Sequence, residues 1–415
     1  MLPSSLPPGS PLLLPWRTLR LAGRYLPWLV LWFSAGQVAR WALPWLSAEI
    51  GRGSHPDLRR VAVVALFVLF LLATATTAVG MLYVLRRRGE PGDGEKFIDV
   101  LGRSLLPFMI VYVAWGLLFK DAATFSFADL KRTFNHLNDP GETYVIPDIR
   151  VAWALAAGCF LVRMLFERRH LSQREKGRPG RTSGLVAAFF ETAFTLFAIS
   201  SAAVTFGQAS EWAANRRVWV GASSLLNGLV DAVPWLGTVG DLLGQLLSLA
   251  KDGLILPLVW LTIAAIVYGV EVHDHRAVLG GTRFERAADR LSGMRGLLRR
   301  PLGGMSADVR DKYLPLAYAV RLVWRGGIPL FAAFALCYGL TEVVSQQVWL
   351  GVTWLIGPHD QGTWHVLIVP VNFGRDLIYD VLRISVLAAA YGLIQERISA
   401  RTAAPSPAEM ASSRS

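Results

Sequence analysis

The segment at residues 61–85, VAVVALFVLFLLATATTAVGMLYVL, is the part of the sequence that decides the fold. Its 25 residues include no Asp, Glu, Lys or Arg. A helix rises about 1.5 Å per residue, so about 20 apolar residues cross the roughly 30 Å hydrocarbon core of a bilayer. A buried helix of a soluble domain is usually shorter than this. The segment therefore predicts a transmembrane helix.

The composition of the whole chain supports a membrane class. Of 415 residues, 53% are hydrophobic and 17% are charged, whereas soluble domains carry about 25% charged residues. The missing charge is concentrated in apolar blocks, which is typical of spans. Seven further blocks are at residues 25–46, 104–119, 151–166, 192–210, 253–270, 326–349 and 377–395. We expect an all-α fold, a polytopic transmembrane helical bundle of about eight spans.

The distribution of Lys and Arg predicts the direction of these spans. With the N-terminus inside, the inner segments carry 28 of the 42 basic residues and the outer segments carry 11. Cytoplasmic loops are the ones enriched in Lys and Arg, so both termini are expected in the cytoplasm. Only six of the basic residues are Lys, and this Arg bias, with abundant Ala, is typical of a high-GC bacterial genome. We therefore expect a bacterial plasma membrane protein.

The net charge of +12 points to partners with negative charge. The Arg residues flank apolar blocks, and no nucleic-acid-binding motif accompanies them. Anionic lipid headgroups at the inner face are therefore the expected partner, and nucleic acid is not. The expected organisation is a disordered N-terminus (1–23), a first membrane half of four spans (24–180), a third hairpin (181–270), cytoplasmic basic amphipathic helices (271–325), a fourth hairpin (326–396) and a disordered tail (397–415).

The hairpins resemble one another in sequence. VWVG at residues 218–221 follows the fifth expected span, and VWLG at 348–351 follows the seventh. Two interpretations remain open. The chain contains parallel repeats of a two-helix hairpin, related by an axis along the membrane normal, or Pro, Asp and Trp recur because helix starts and membrane interfaces favour them.

The outer segment 217–251 is too apolar for an ordinary loop. We expect Pro234 and Gly237 to divide it into two short helices. Leu242, Leu243, Leu246 and Leu247 have the spacing of one helical face. The segment either packs in the membrane interface or re-enters the membrane beside water, and the second arrangement would place Asp231 and Asp241 in a path.

Ionisable residues within the apolar blocks are the candidate functional residues, since such groups are costly in a membrane unless they are paired or functional. Depth counted from flanking basic residues makes Glu191 and Arg383 the deepest pair of opposite sign, and we expect both to face the bundle interior. The other three, which we expect near interfaces where long side chains reach water, are Arg40, Arg163 and Glu342.

No P-loop, G-x-S-x-G, H-E-x-x-H or C-x-x-C motif occurs. We therefore predict no catalytic residue, metal or cofactor, although His273 and His275 lie near acids. The sequence favours a non-catalytic scaffold or accessory subunit of a membrane complex, with protein partners or a homo-oligomer as further expectations. A channel or transporter near Glu191 and segment 217–251 is the first alternative. A membrane transferase, using acids of the outer loop 120–150, is the second.

Overall fold

The computed structural model describes residues 10–50, 56–86, 96–135, 148–175, 181–217, 219–221, 223–224, 234–268 and 327–403. These residues are helical apart from short turns, and no strand occurs among them. The helices are α1 (Leu14–Ile50), α2 (Pro56–Val84), α3 (Phe97–Ala114), α4 (Leu117–Asn135), α5 (Ile149–Glu175), α6 (Arg181–Ala214), α7 (Pro234–Ala250), α8 (Leu256–Val267), α9 (Ile328–Ile356) and α10 (Gln361–Ala403). A 3₁₀ turn, Pro11–Leu13, precedes α1, and a π-helical turn, Lys251–Ile255, joins α7 to α8.

Six helical segments of the described residues are long and apolar enough to cross a membrane. They are Leu58–Val84, Phe97–Ala114, Ile149–Gln173, Arg181–Ala214, Thr238–Val267 and Gln361–Arg397. The all-helical fold is thus confirmed, together with several helices of membrane length.

Two expected spans lie in helices outside this set of six. Helix α1 has 37 residues and α9 has 29, so both exceed the length needed for a crossing. Their apolar character is interrupted, by Gln37 and Arg40 in α1 and by Glu342 and Gln346 in α9. Each of the eight expected spans overlaps a helix, but the number eight stays a prediction, as do the hairpin repeats.

Several expected boundaries differ from the structure. Residues 14–23, expected to be disordered, form the first turns of α1, and Pro15 fits there because a first helical turn tolerates proline. The third expected span ends early, at Ala114, where Gly116 takes φ +70° and breaks the helix before α4 begins. Helix α10 continues to Ala403, beyond the expected start of the tail. The segments 1–9, 269–326 and 404–415, including the expected cytoplasmic helices, lie outside the described residues.

The chain divides into two units. Unit 1 comprises residues 1–33, 78–107 and 257–415. In it, the rings of Tyr268 and Tyr391 stack with centroids 4.8 Å apart. Helices α9 and α10 pack against each other, and the indole Nε1 of Trp349 donates a 3.0 Å hydrogen bond to Asn372 Oδ1. Gly80 lies directly against the ring of Trp32, which allows close approach of the two backbones.

Unit 2 comprises residues 34–77 and 108–256. Its aromatic core includes Phe67, Phe70 and Phe125, whose ring centroids lie 5.1–6.2 Å apart. Helices α5 and α6 form an antiparallel hairpin. Two contacts fix the register of this hairpin. Ser183 hydrogen-bonds to Gln173 near the closed end, and the ring of Phe160 packs against that of Phe194 further along.

Candidate functional site

The first cluster of buried polar side chains joins four helices of unit 2. Arg40 of α1 makes a bidentate ion pair with Asp121 of α4, at 2.6 Å from Nη2 to Oδ1 and 3.2 Å from Nη1 to Oδ2. The hydroxyl of Tyr112, on α3, donates to Asp121 Oδ2. Arg40 Nη1 also donates to Thr74 Oγ1 of α2 at 3.2 Å, and its guanidinium lies over the ring of Phe70. We call Arg40, Thr74, Tyr112 and Asp121 the Arg40 cluster.

The Arg40 cluster supplies what the sequence does not show, the partner of Arg40. That Arg40 lies near an interface stays a prediction; its guanidinium pairs with Asp121, whose side chain is 5% exposed, while that of Arg40 is 32% exposed. Asp121 was expected in a solvated outer loop, whereas it belongs to helix α4. A bidentate guanidinium–carboxylate pair fixes both distance and orientation. The cluster therefore ties the four helices together at one level.

The second cluster lies between α5 and α6 and consists of Arg163, Glu167 and Glu191. Arg163 Nη2 donates to Glu167 Oε2 at 2.9 Å, one helical turn away. Its Nε lies 3.6 Å from Glu191 Oε2 on the neighbouring helix. Arg163 and Glu191 are 3% and 4% exposed. We call these three residues the Arg163 cluster.

The position of Glu191 confirms neither a pore nor a pairing with Arg383. Its carboxylate lies beside Arg163, a residue that sequence reasoning placed near an interface. Arg163 is buried among protein side chains, and the antiparallel register of the hairpin brings it level with Glu191. Depth counted along one helix from its flanking Arg does not include this register, so the depths of both residues stay predictions.

The third cluster, in unit 1, surrounds Arg383 of α10. Its Nη2 lies 2.8 Å from Asp380 Oδ1. The guanidinium lies 4.6 Å from the ring centroid of Trp260 and 5.0 Å from that of Tyr379. Both distances are within the range of cation–π attraction. A guanidinium stays protonated in proteins, so in each cluster the positive charge of an Arg lies beside the carboxylate of a neighbouring residue.

Among the five charges predicted within spans, Glu342 is the one that the described part of the chain leaves exposed. It lies in the middle of α9 and accepts a 2.8 Å hydrogen bond from Gln346 Nε2 on the same helix.

Helix α7 makes up most of the described part of segment 217–251. Its helix begins at Pro234, as expected from the proline, and continues through Gly237. A glycine within a helix costs only about 1 kcal/mol, whereas a proline removes a hydrogen bond and clashes with the preceding turn. Asp241 is exposed on α7. Asp231 lies outside the described residues, so only one of the two expected acids has a known position.

No group of His, Cys, Asp and Glu suited to a metal ion occurs among the residues with described positions. His273 and His275 lie outside the described residues.

Asp360 caps the start of α10. Its carboxylate accepts hydrogen bonds from the backbone N and the Oγ1 of Thr363, at 3.0 and 2.6 Å. These hydrogen bonds lower the pKa of Asp360 below its usual 3.8. Cys159 and Cys337 are free and half-buried.

Comparisons with protein families, with curated proteins and with solved structures found no match.

Proposed function

We propose that this chain is a non-catalytic scaffold or accessory subunit of a membrane complex. In this proposal, the chain is a multi-pass protein of a bacterial plasma membrane, and both of its termini lie in the cytoplasm. The supporting observation is that Arg40, Arg163 and Arg383 each lie within 4 Å of a carboxylate supplied by the same unit. The first two pairs join neighbouring helices, whereas Asp380 lies on the same helix as Arg383.

The kind of pairing distinguishes a static bundle from a transport pathway. A transported ion or proton must bind to a charged group and then leave it. That group must therefore be able to release one partner and bind another. In the Arg40 cluster, Asp121 accepts hydrogen bonds from both terminal nitrogens of Arg40, Nη1 and Nη2, and from the hydroxyl of Tyr112. A carboxylate with three donors directed at it is poorly suited to releasing and rebinding a cation.

Lipid is the first partner in this proposal. Eleven of the basic residues fall between residues 276 and 325, on the side assigned to the cytoplasm. Each Arg near an anionic surface adds about 1 kcal/mol of attraction. Binding of the full chain to anionic vesicles should therefore weaken steeply as salt is added.

A channel or transporter is the second candidate function. Glu191 favours it, because a buried carboxylate beside Thr192 and Thr195 on one helix is the kind of group that lines ion pathways. Asp241 on α7 adds an exposed acid in segment 217–251. A transferase is less well supported, since Asp121, an acid expected to be available outside, is paired with Arg40.

Reconstitution of the purified full-length chain into liposomes separates the two candidates. We expect the passive flux of K⁺, Cl⁻ and H⁺ to equal that of protein-free liposomes, with an added ionophore showing that each gradient was intact. Flux that depends on the protein and is abolished by Glu191→Gln would contradict the scaffold proposal and support the channel.

A further inference from the structure

Helix α9 has two different faces. One face is buried within unit 1, and its members recur every three or four residues: Leu330, Phe334, Tyr338, Thr341 and Ser345. The opposite face is exposed over almost the whole helix. Its members are Leu336, Leu340, Val343, Gln347, Leu350 and Trp354. We call these six residues the α9 seam.

The α9 seam has the spacing of a helix-pairing interface. Its members follow one another at intervals of four, three, four, three and four residues, which is the heptad pattern of two helices that wind around each other. Leu336 and Trp354, at its two ends, are 76% and 83% exposed. The described chain therefore leaves a continuous helix-pairing stripe uncovered.

A polar residue interrupts this apolar stripe in its middle. Any stretch of about 20 residues within the 29 of α9 includes positions 337–347, so Gln347 lies in the hydrocarbon core wherever α9 crosses the membrane. Glu342 and Gln346 share that level and are also exposed. Hydrocarbon offers no hydrogen bond to an amide, whereas Gln side chains hydrogen-bond between membrane helices.

We infer that the α9 seam binds the same seam of a second copy of this chain, forming a parallel dimer with Gln347 hydrogen-bonded to its counterpart. This inference deepens the proposed scaffold function and rests on the prediction, made from residues 326–349, that α9 is a span. Two copies inserted in the same direction present α9 in parallel, so a two-fold axis along the membrane normal places identical residues opposite each other. A side-chain amide both donates and accepts, which makes Gln347 complementary to itself. A single polar residue at a core position of paired helices fixes their register.

Disulfide crosslinking in membranes tests the dimer with a matched pair of valines. In a full-length background carrying Cys159→Ala and Cys337→Ala, Val343→Cys lies in the α9 seam. Val352→Cys is also exposed but lies on the other side of the helix. Oxidation should yield a disulfide-linked dimer for Val343→Cys and little for Val352→Cys. Equal crosslinking of both variants, or none at any seam position, would overturn the inference.

A second pair of variants tests the polar contact. Gln347→Leu should weaken dimerisation about threefold to thirtyfold, measured by energy transfer between labelled copies diluted in lipid. Gln346→Leu, which removes a contact within the helix, should leave dimerisation unchanged. An unchanged affinity for Gln347→Leu would contradict the contact even if crosslinking succeeds.

The outcomes for dimer and function can be separated. Specific crosslinking together with protein-dependent flux would retain the dimer and reject the scaffold. Absence of both crosslinking and flux would reject the dimer and leave the scaffold standing, with lipid covering the α9 seam.

Discussion

Arg40 and Asp121 are 81 positions apart in sequence, yet they form a bidentate ion pair between α1 and α4, with nitrogen–oxygen distances of 2.6 and 3.2 Å. Tyr112 and Thr74 complete the contacts on either side of the pair. A polar network within a membrane helix bundle stabilises it only when every member is satisfied. Each of the four side chains of the Arg40 cluster has a hydrogen-bond partner within the cluster.

Removing the negative charge of this pair should destabilise the protein. Asp121→Asn leaves the guanidinium of Arg40 without this counter-charge; because the Arg40 side chain is 32% exposed, we expect a cost below the roughly 3 kcal/mol of a fully buried pair. We expect a lower thermal midpoint in detergent, followed by tryptophan fluorescence. Asp241→Asn, at an exposed position on α7, is the control and should change the midpoint little. Equal effects of the two variants would show that the pair does not stabilise the bundle.

The two carboxylates beside Arg163 should contribute unequally. Glu167 is nearer to the guanidinium, at 2.9 Å, but its side chain is 39% exposed; Glu191 is at 3.6 Å and 5% exposed. Burial determines the result, because an exposed pair one turn apart is worth less than about 0.5 kcal/mol and a buried charged contact about 2 kcal/mol. Glu191→Gln should therefore lower the thermal midpoint more than Glu167→Gln. The reverse order would contradict the assigned burial.

Close packing at Gly80 should tolerate no side chain. A methyl group added there would lie 2.5 Å from a ring carbon of Trp32. Overpacking of this kind costs about 1–3 kcal/mol, so Gly80→Ala should destabilise the protein. Gly102→Ala, within α3 and with no atom within 4 Å of the added carbon, should be neutral or stabilising by up to about 1 kcal/mol. Both variants are compared by thermal unfolding, and a neutral Gly80→Ala would contradict the packing.

The cap of α10 should respond to acid. Because the pKa of Asp360 is lowered in the folded chain, its contribution to stability is present above its unfolded value of 3.8 and is lost as the pH falls through the lower folded value. Hydrogen exchange of the first turn of α10 should therefore accelerate relative to the rest of the helix below about pH 4. Asp360→Asn keeps a capping side chain but cannot titrate, so this acid-dependent loss should disappear. Its persistence in the variant would assign the effect to another group.

The fold was predictable from sequence where apolar length alone decides it. Residues 61–85 contain no charge and coincide closely with α2. Helix ends were less predictable because local contacts determine them. The break at Gly116 depends on a backbone conformation that the sequence only permits. Helix α4 was mistaken for a loop, although Leu118, Asp121 and Phe125 have helical spacing and are all buried.

The candidate sites were predictable as positions but not as pairs. Arg40, Arg163 and Arg383 are conspicuous because each interrupts an apolar block, and Glu191 because it directly precedes one. The interhelical partners, Asp121 for Arg40 and Arg163 for Glu191, depend on tertiary register, which sequence spacing does not contain; Glu167 and Asp380 are partners within one helix. Glu191 and Arg163 become neighbours only when α5 and α6 align antiparallel. Asp121 was considered only as an acid of the outer loop 120–150, and its pairing with Arg40 follows from the packing of α4 against α1.

A topology scan tests the central claim, that the chain crosses the membrane repeatedly with its basic segments inside. Dual reporters, one active only in the cytoplasm and one only outside it, are fused after residues 53, 92, 140, 178, 226, 295 and 359. We predict strict alternation, beginning outside at residue 53 and placing residue 295 in the cytoplasm. Residue 295 outside, or all seven fusions on one side, would contradict the account.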